Sequence, residues 1–371
     1  MQRPPKPSRI AAPTALGWRR LARLGLWASL LGVPFFASTA AAQSAATVDR
    51  AAAIRLSASL LRIEAHRLTG GFSLGSGVLV APGLVVTNCH VTRQADTLHV
   101  VRGGVRWQVT AQRADIAHDL CLLRAPGVQA AVAPLADADA LMIGQDVTAL
   151  GYTGGIDLQH SFGTVVDLHR FDDGQVIRTS NGFNSGASGG GLFDAEGRLA
   201  GILTFRLRGA EQHYFAAPAR WVRQLLLAAS DSGLPALAPL EQVSLPFWQI
   251  QGDRQPRFLR AALLVREQRW HDLATLAQRW LRDDGQDGEP WYLLGTALHR
   301  LDQPAAALQA FDCALRLQPQ RLAALPAQPV LRLPSINPAG AHTGAGAMTE
   351  TSANSLNSTL ATRSSPCAPA A

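Results

Sequence analysis

Three short segments of the 371-residue chain carry side chains that together could attack a carbonyl carbon. The first, Gly75-Ser76-Gly77-Val78-Leu79-Val80-Ala81-Pro82-Gly83-Leu84-Val85-Val86-Thr87-Asn88-Cys89-His90-Val91, reads as a β-hairpin that ends on a histidine. The second, Asp119-Leu120-Cys121-Leu122-Leu123, sets an acid at the head of an apolar strand. The third, Asn184-Ser185-Gly186-Ala187-Ser188-Gly189-Gly190-Gly191-Leu192, holds a serine in a glycine-rich turn before another strand. A serine hydroxyl is a poor nucleophile until a base takes its proton, which imidazole does near neutral pH. A buried carboxylate then fixes the imidazole tautomer and stabilises the imidazolium. Glycines around the serine let backbone N–H groups converge on a developing oxyanion, at about 3–4 kcal/mol per donor. In this reading Ser188 attacks, His90 is general base and then general acid, and Asp119 orients it. The N–H groups of Gly186 and Ser188 form the oxyanion hole.

Each segment alone has a bland reading: a polar histidine, a turn aspartate, a glycine loop. The order His…Asp…Ser, with each residue beside an apolar strand, sets the chemical reading above the bland ones. Asp115 is a rival acid, but Asp119 directly precedes the strand. Gly186-Ala187-Ser188-Gly189-Gly190 also satisfies the G-x-S-x-G elbow of α/β-hydrolases. Those esterases use the order Ser…Asp…His on a parallel sheet, and no strand–helix alternation flanks Ser188.

The three segments resemble the trypsin-like serine proteases, most of all the HtrA/DegP-type periplasmic branch. The resemblance covers roughly residues 70–220 and includes Ser161-Phe162-Gly163-Thr164-Val165 and Ile177-Arg178-Thr179-Ser180. It implies a serine endopeptidase built as two six-stranded β-barrels with the site between them, acting on proteins or peptides. It also places the base of the substrate pocket at Gly182, with Thr204-Phe205-Arg206 as one wall, His213 nearby and Thr204 helping to hold Asp119. No acid stands at that base, so small or aliphatic P1 residues are expected rather than Arg or Lys. The chain departs from the family twice. Ala187 stands where proteases activated by cleavage carry an acid, and helices stand where HtrA enzymes carry PDZ domains. A catalytically silent protease-like binding protein is the rival function.

The elements that must position these residues are legible from pattern. Short apolar runs broken by turn residues fill the stretch from about 51 to 227, as in an all-β barrel or sandwich. A helix closes that stretch at Pro218–Ala229, where Trp221, Val222, Leu225 and Leu226 recur at helical spacing. The domain reading is a protease domain over 47–230, a linker over 231–250 rich in Pro, Leu and Ser, and a helical domain over 251–320. Helices are expected near 256–267, 270–282, 289–300 and 304–317. The last pair fits the tetratricopeptide template through Trp291, Leu294-Gly295, Ala307, Phe311, Ala314 and Pro319, with Leu298 replacing the usual tyrosine. A generic helical hairpin is the alternative; either could bind a protein partner. Residues 321–371, poor in large apolar side chains, are expected to be disordered. The fold class is mostly β: a chymotrypsin-like double β-barrel, a small α-helical domain and a disordered tail.

The net charge of +7 sits at one end. Residues 1–42 hold Arg3, Lys6, Arg9, Arg19, Arg20 and Arg23 without an acid; setting those six aside leaves 28 Lys and Arg against 27 Asp and Glu. No nucleic-acid partner follows from so even a balance. The same residues read as an export signal, with an apolar run from Leu24 to Phe36 and Ala40-Ala41-Ala42 before Gln43. The expected location is periplasmic or secreted, with no membrane association after cleavage; an uncleaved anchor is the alternative. Cys89, Cys121, Cys313 and Cys367 fit no zinc spacing, and neither metal nor cofactor is expected. Cys89 and Cys121 adjoin His90 and Asp119, so they form either a disulfide or two buried thiols.

Overall fold

A computed structural model describes residues 51–319, except 52, 138–140, 155–156, 208–212 and 241–243, together with residue 367. The expected signal segment and the expected disordered tail, Cys367 apart, lie outside the described residues. Among the described residues no helix is long and apolar enough to cross a membrane.

The first sheet holds β1 (Leu60–His66), β2 (Phe72–Ala81), β3 (Leu84–Asn88), β4 (Thr97–Arg102), β5 (Val105–Gln108), β6 (Ala111–Asp115) and β7 (Leu120–Arg124), ordered β5-β4-β1-β2-β3-β7-β6. The second contains β8 (Asp146–Thr153), β9 (Asp157–Phe171), β10 (Gly174–Thr179), β11 (Gly191–Phe193), β12 (Leu199–Leu207) and β13 (His213–Pro218), closed as β10-β13-β12-β11-β8-β9. Neighbouring strands within each are antiparallel.

The near-continuous apolar runs of β1, β2, β3 and β7 follow from burial on both faces. Leu61, Ile63, Leu79, Val85 and Leu123 fill the interior of the first sheet. Their neighbours Leu60, Val78, Val86 and Leu122 point the other way and join Leu150, Phe193, Ile202 and Phe215 of the second barrel. The two-residue strand period thus builds two cores from one run. At about 25 cal/mol per Å² of apolar surface removed from water, this shared core is the main force holding the barrels together.

The first sheet is seven-stranded and open where the resemblance implied a closed six-stranded barrel. Residues after the closing helix, α2 (Ala219–Ser232), cover its β6 edge. Gln112 N–H donates to Pro235 O at 3.0 Å, and Leu237 N–H donates to Thr110 O at 3.1 Å. The Gln112 side chain adds a bond to Ala238 O at 2.6 Å, and Leu240 N–H reaches Arg93 O at 2.9 Å. The described part of the expected linker is therefore a strap laid along an edge strand, a usual way to blunt such an edge.

After the strap come α3 (Arg257–Arg266), α4 (Trp270–Asp283), α5 (Gly288–Arg300) and α6 (Pro304–Leu317), within a few residues of the expected spans. Gly295 permits close packing of α5 on α6, since a Cβ there would stand 2.7 Å from the Phe311 ring. The helices dock on the second barrel. The Phe258 ring stacks on His169 with centroids 4.5 Å apart, and Glu289 Oε1 lies 2.7 Å from His169 Nδ1. Both members of that polar pair are buried. Cys313 and Cys367 are joined as a second disulfide, a pairing the sequence reading did not make.

Candidate active site

His90 lies in the single turn α1 (Cys89–Thr92) that follows β3 directly. Asp119 ends the tight turn between β6 and β7 with φ of 59°, in the left-handed region that aspartate tolerates better than most residues. Three bonds fix that conformation: Asp119 N–H to Ile116 O at 3.2 Å, Cys89 N–H to Asp119 O at 3.1 Å, and Asn88 Nδ2 to Asp119 O at 2.9 Å. Cys89 and Cys121 flank the pair with sulfurs 2.13 Å apart and Cα atoms 4.9 Å apart, so a covalent bridge ties the turn that carries His90 to the strand that follows Asp119.

The Asp119 carboxylate is held from three sides. Its Oδ1 accepts the His90 backbone N–H at 2.9 Å; its Oδ2 accepts from His90 Nδ1 at 2.6 Å and from Trp248 Nε1 at 3.0 Å. A carboxylate facing Nδ1 commits that nitrogen as the donor and leaves Nε2 with the lone pair. The carboxylate is 2% exposed, so little water competes for it.

Ser188 comes from the second barrel, in the turn before β11. The loop that carries Ser188 is pinned to β2 of the first sheet: Ser76 N–H donates to Ser188 O at 2.8 Å and Ser76 Oγ donates to Gly186 O at 2.8 Å. Gly189 makes that approach possible, with φ of 85° and a Cβ position that would fall 2.1 Å from Ser76 O. The N–H groups of Ala187, Gly189 and Gly190 are taken by backbone carbonyls. Among the described residues those of Gly186 and Ser188 are not, which leaves this expected donor pair available. No hydrogen bond joins Ser188 Oγ to His90 Nε2 among the described residues. Such contacts commonly tighten only when substrate is bound.

The expected pocket residues are placed less simply. Gly182 is exposed, with the Tyr214 hydroxyl 3.5 Å from where its Cβ would be, and His213 is half-buried at the start of β13. The side chains of Thr204 and Phe205, expected in a pocket wall, are both buried. Phe205 stacks on Phe215 at 4.6 Å and on Trp248 at 5.3 Å. Thr204 Oγ1 donates to Ile202 O and accepts from Asn88 Nδ2, so it reaches only the Asp119 backbone, through Asn88. Trp248, and not Thr204, contacts the Asp119 carboxylate directly. A cleft beside His90, lined by Ala65, Arg67, Ser73, Val91 and Gln94, was not legible in the sequence.

The rival acid Asp115 serves another histidine. Its Oδ2 lies 2.7 Å from His118 Nδ1, while His118 Nε2 faces Asp172 Oδ2 at 3.1 Å across the gap between the sheets. Burial pulls the His118 pKa down, but the two carboxylates outweigh it and hold it above the usual imidazole range. A raised folded-state value stabilises the protein below the unfolded pKa, about 6.5, and that contribution fades as pH rises through the folded value. His118→Asn is therefore expected to lower the melting temperature more near pH 6 than near pH 9. Equal losses at both would show that this histidine does not link the sheets through its charge.

Among the described residues one group could offer ligand atoms to a cation: Asp167, His169 and Glu289, all buried, with atoms within 4.8 Å of one another. His169 Nδ1 there is already engaged by Glu289. None of the three belongs to the site around His90.

Residues 75–202 match the family model of the trypsin-like peptidase domain. The chain is 33% identical over 144 residues to the magnetosome formation protease MamE of Magnetospirillum gryphiswaldense, covering 36% of this chain and 19% of that protein. It is 32% identical over 136 residues to a probable periplasmic serine endoprotease, DegP-like, of Halomonas elongata, covering 35% and 29%. The matched part thus spans well under half the length of these relatives. The fold is also similar to a solved structure of the Rv3671c protease from M. tuberculosis in its active form, with TM-score 0.47 and 22% identity, covering 53% of this chain and 89% of that one.

Proposed function

We propose that this chain, whose residues 75–202 form a trypsin-like peptidase domain, is a serine endopeptidase acting through Ser188, His90 and Asp119. The observation that carries the reading is the clamp on Asp119: both its oxygens are engaged by His90, through the ring Nδ1 and the backbone N–H. That clamp fixes the imidazole in the tautomer a general base needs. Ser188 Oγ attacks the peptide carbonyl carbon and its proton passes to His90 Nε2. The N–H groups of Gly186 and Ser188 stabilise the oxyanion. His90 then returns the proton to the departing amine as the C–N bond breaks, and water releases the acyl group from Ser188 by the same path in reverse.

The polypeptide substrate, the preference for small or aliphatic P1 residues and the periplasmic or secreted location belong to the same proposal. Location is supported by the basic and apolar signal-like segment over 1–42, by the word periplasmic in the name of the DegP-like relative, and by the Cys89–Cys121 bridge, which suits an oxidising compartment. The helical region is proposed to hold a protein partner, with Leu308 and Leu315 exposed on α6.

The second reading, a silent binding protein, is favoured only by the open Ser188–His90 contact. Labelling with a fluorophosphonate separates the two. We expect stoichiometric label on Ser188, none in Ser188→Ala and very slow labelling in His90→Ala. A folded wild-type protein that takes no label would leave the binding reading standing.

A further inference from the structure

We propose that Trp248, which lies outside both barrels, is a positioning residue for His90 and Asp119; the inference rests on the serine-endopeptidase reading. Its indole N–H supplies the third hydrogen bond to the Asp119 carboxylate, at 3.0 Å. Its ring meets His90 nearly edge-on, with centroids 5.7 Å apart and planes at 82°, and lies flat on Phe205 at 5.3 Å and 7°. One side chain therefore touches both the acid and the base. Deleting its N–H would leave Asp119 Oδ2 with His90 Nδ1 as its one remaining donor among the described residues.

The surroundings hold the ring in register. Phe247, 2% exposed, packs against Phe171, Phe205, Trp221 and Phe258. Its N–H donates to Ala117 O at 2.9 Å, inside the turn that carries Asp119. Gln249 N–H closes a turn onto Pro246 O at 2.8 Å. Trp248 is thus fixed between an anchored aromatic and a tight turn, on the acid's own loop. Because Phe258 belongs to α3, the same packing ties the first helix of the helical region to the site. The segment that carries Trp248 thus joins the Asp119 turn to the helical region.

The test is Trp248→Phe, which keeps a ring and removes the donor, made in the full chain. Rates are divided by the concentration of sites titrated with fluorophosphonate, so that misfolded protein drops out. We expect kcat per titrated site to fall about 10- to 100-fold, as for loss of a hydrogen bond to a charged group, with KM little changed. Trp248→His, a smaller ring that retains an N–H, is expected to recover part of the loss. The downfield proton signal of the His90–Asp119 bond is expected to shift or broaden in Trp248→Phe. An unchanged kcat per site, or a change in KM alone, would overturn the proposal. Should the wild-type protein neither label nor hydrolyse, the endopeptidase reading fails by itself. The proton signal still decides then, and its persistence unaltered in Trp248→Phe would reject the positioning role.

Discussion

Ser188→Ala is expected to abolish peptide hydrolysis, lowering kcat by about 10⁶-fold, while the protein melts at the wild-type temperature. The structure gives a reason for the second half. Ser188 Oγ has no hydrogen-bond partner among the described residues, so its removal strands nothing, and the anchoring bond from Ser76 goes to the backbone oxygen that alanine keeps. His90→Ala should lose nearly as much, and the double variant no more, because members of a triad act as a unit. Asp119→Asn should be doubly damaging. An amide offers one acceptor oxygen where the carboxylate's two accept three N–H bonds, so tautomer and packing suffer together. Steady-state kinetics on a peptide substrate, alongside thermal melts, check this. Most activity surviving in Ser188→Ala would end the serine-endopeptidase reading.

Glu289→Ala is expected to destabilise the protein by about 3 kcal/mol, the scale for breaking a buried polar pair on one side. The Glu289 and His169 side chains are 3% and 6% exposed, so neither can recover its lost partner from bulk water. Replacing both by apolar residues of similar size should restore much of the loss, because the penalty lies in the partner left behind. Urea denaturation read by one probe in the helices and one in the barrels is the measurement. Glu289→Ala should pull the two transitions apart as the helices undock first. A change of no more than about 0.5 kcal/mol, the scatter of surface substitutions, would mean that the helices are held by Phe258 and its apolar neighbours alone.

Much of this architecture was legible because its determinants are local. The runs around Val78 and Leu122 announced strands of an all-β barrel or sandwich, and the helical spacings of Trp221, Trp291 and Phe311 placed helices to within a few residues. The candidate triad was legible from order and flanking strands. The strap was not, since residues 231–250 carry no period: Phe247 and Trp248 are adjacent, and their meaning lies in contacts with Phe171, Phe205, Trp221 and the Asp119 turn. A hydrogen bond spanning 129 residues, as from Trp248 to Asp119, has no local signature. His118 was hidden for the same reason, because one of its carboxylates, Asp172, lies in the turn between β9 and β10 of the other sheet. Thr204 reaches Asp119 only through Asn88, a relay that a family pattern, which carries a position and not a rotamer, does not show. Cys89 and Cys121 allowed a further long-range guess, by adjoining residues expected to meet.

The strap also sets an order of events in time. Synthesis runs from the N-terminus at about 5–20 residues per second, so β6 emerges well before anything that can cover it. The bond from Gln112 to Ala238 waits for chain made 126 residues later, and the indole of Trp248 trails its carboxylate by 129. In chain order the first sheet, which carries His90 and Asp119, precedes both the Ser188 loop and the strap that covers its β6 edge. The nucleophile comes next, and the third support of the acid comes last. A chain lacking the strap would therefore leave the β6 edge bare, open to wrong strand pairing, and Asp119 without its indole donor.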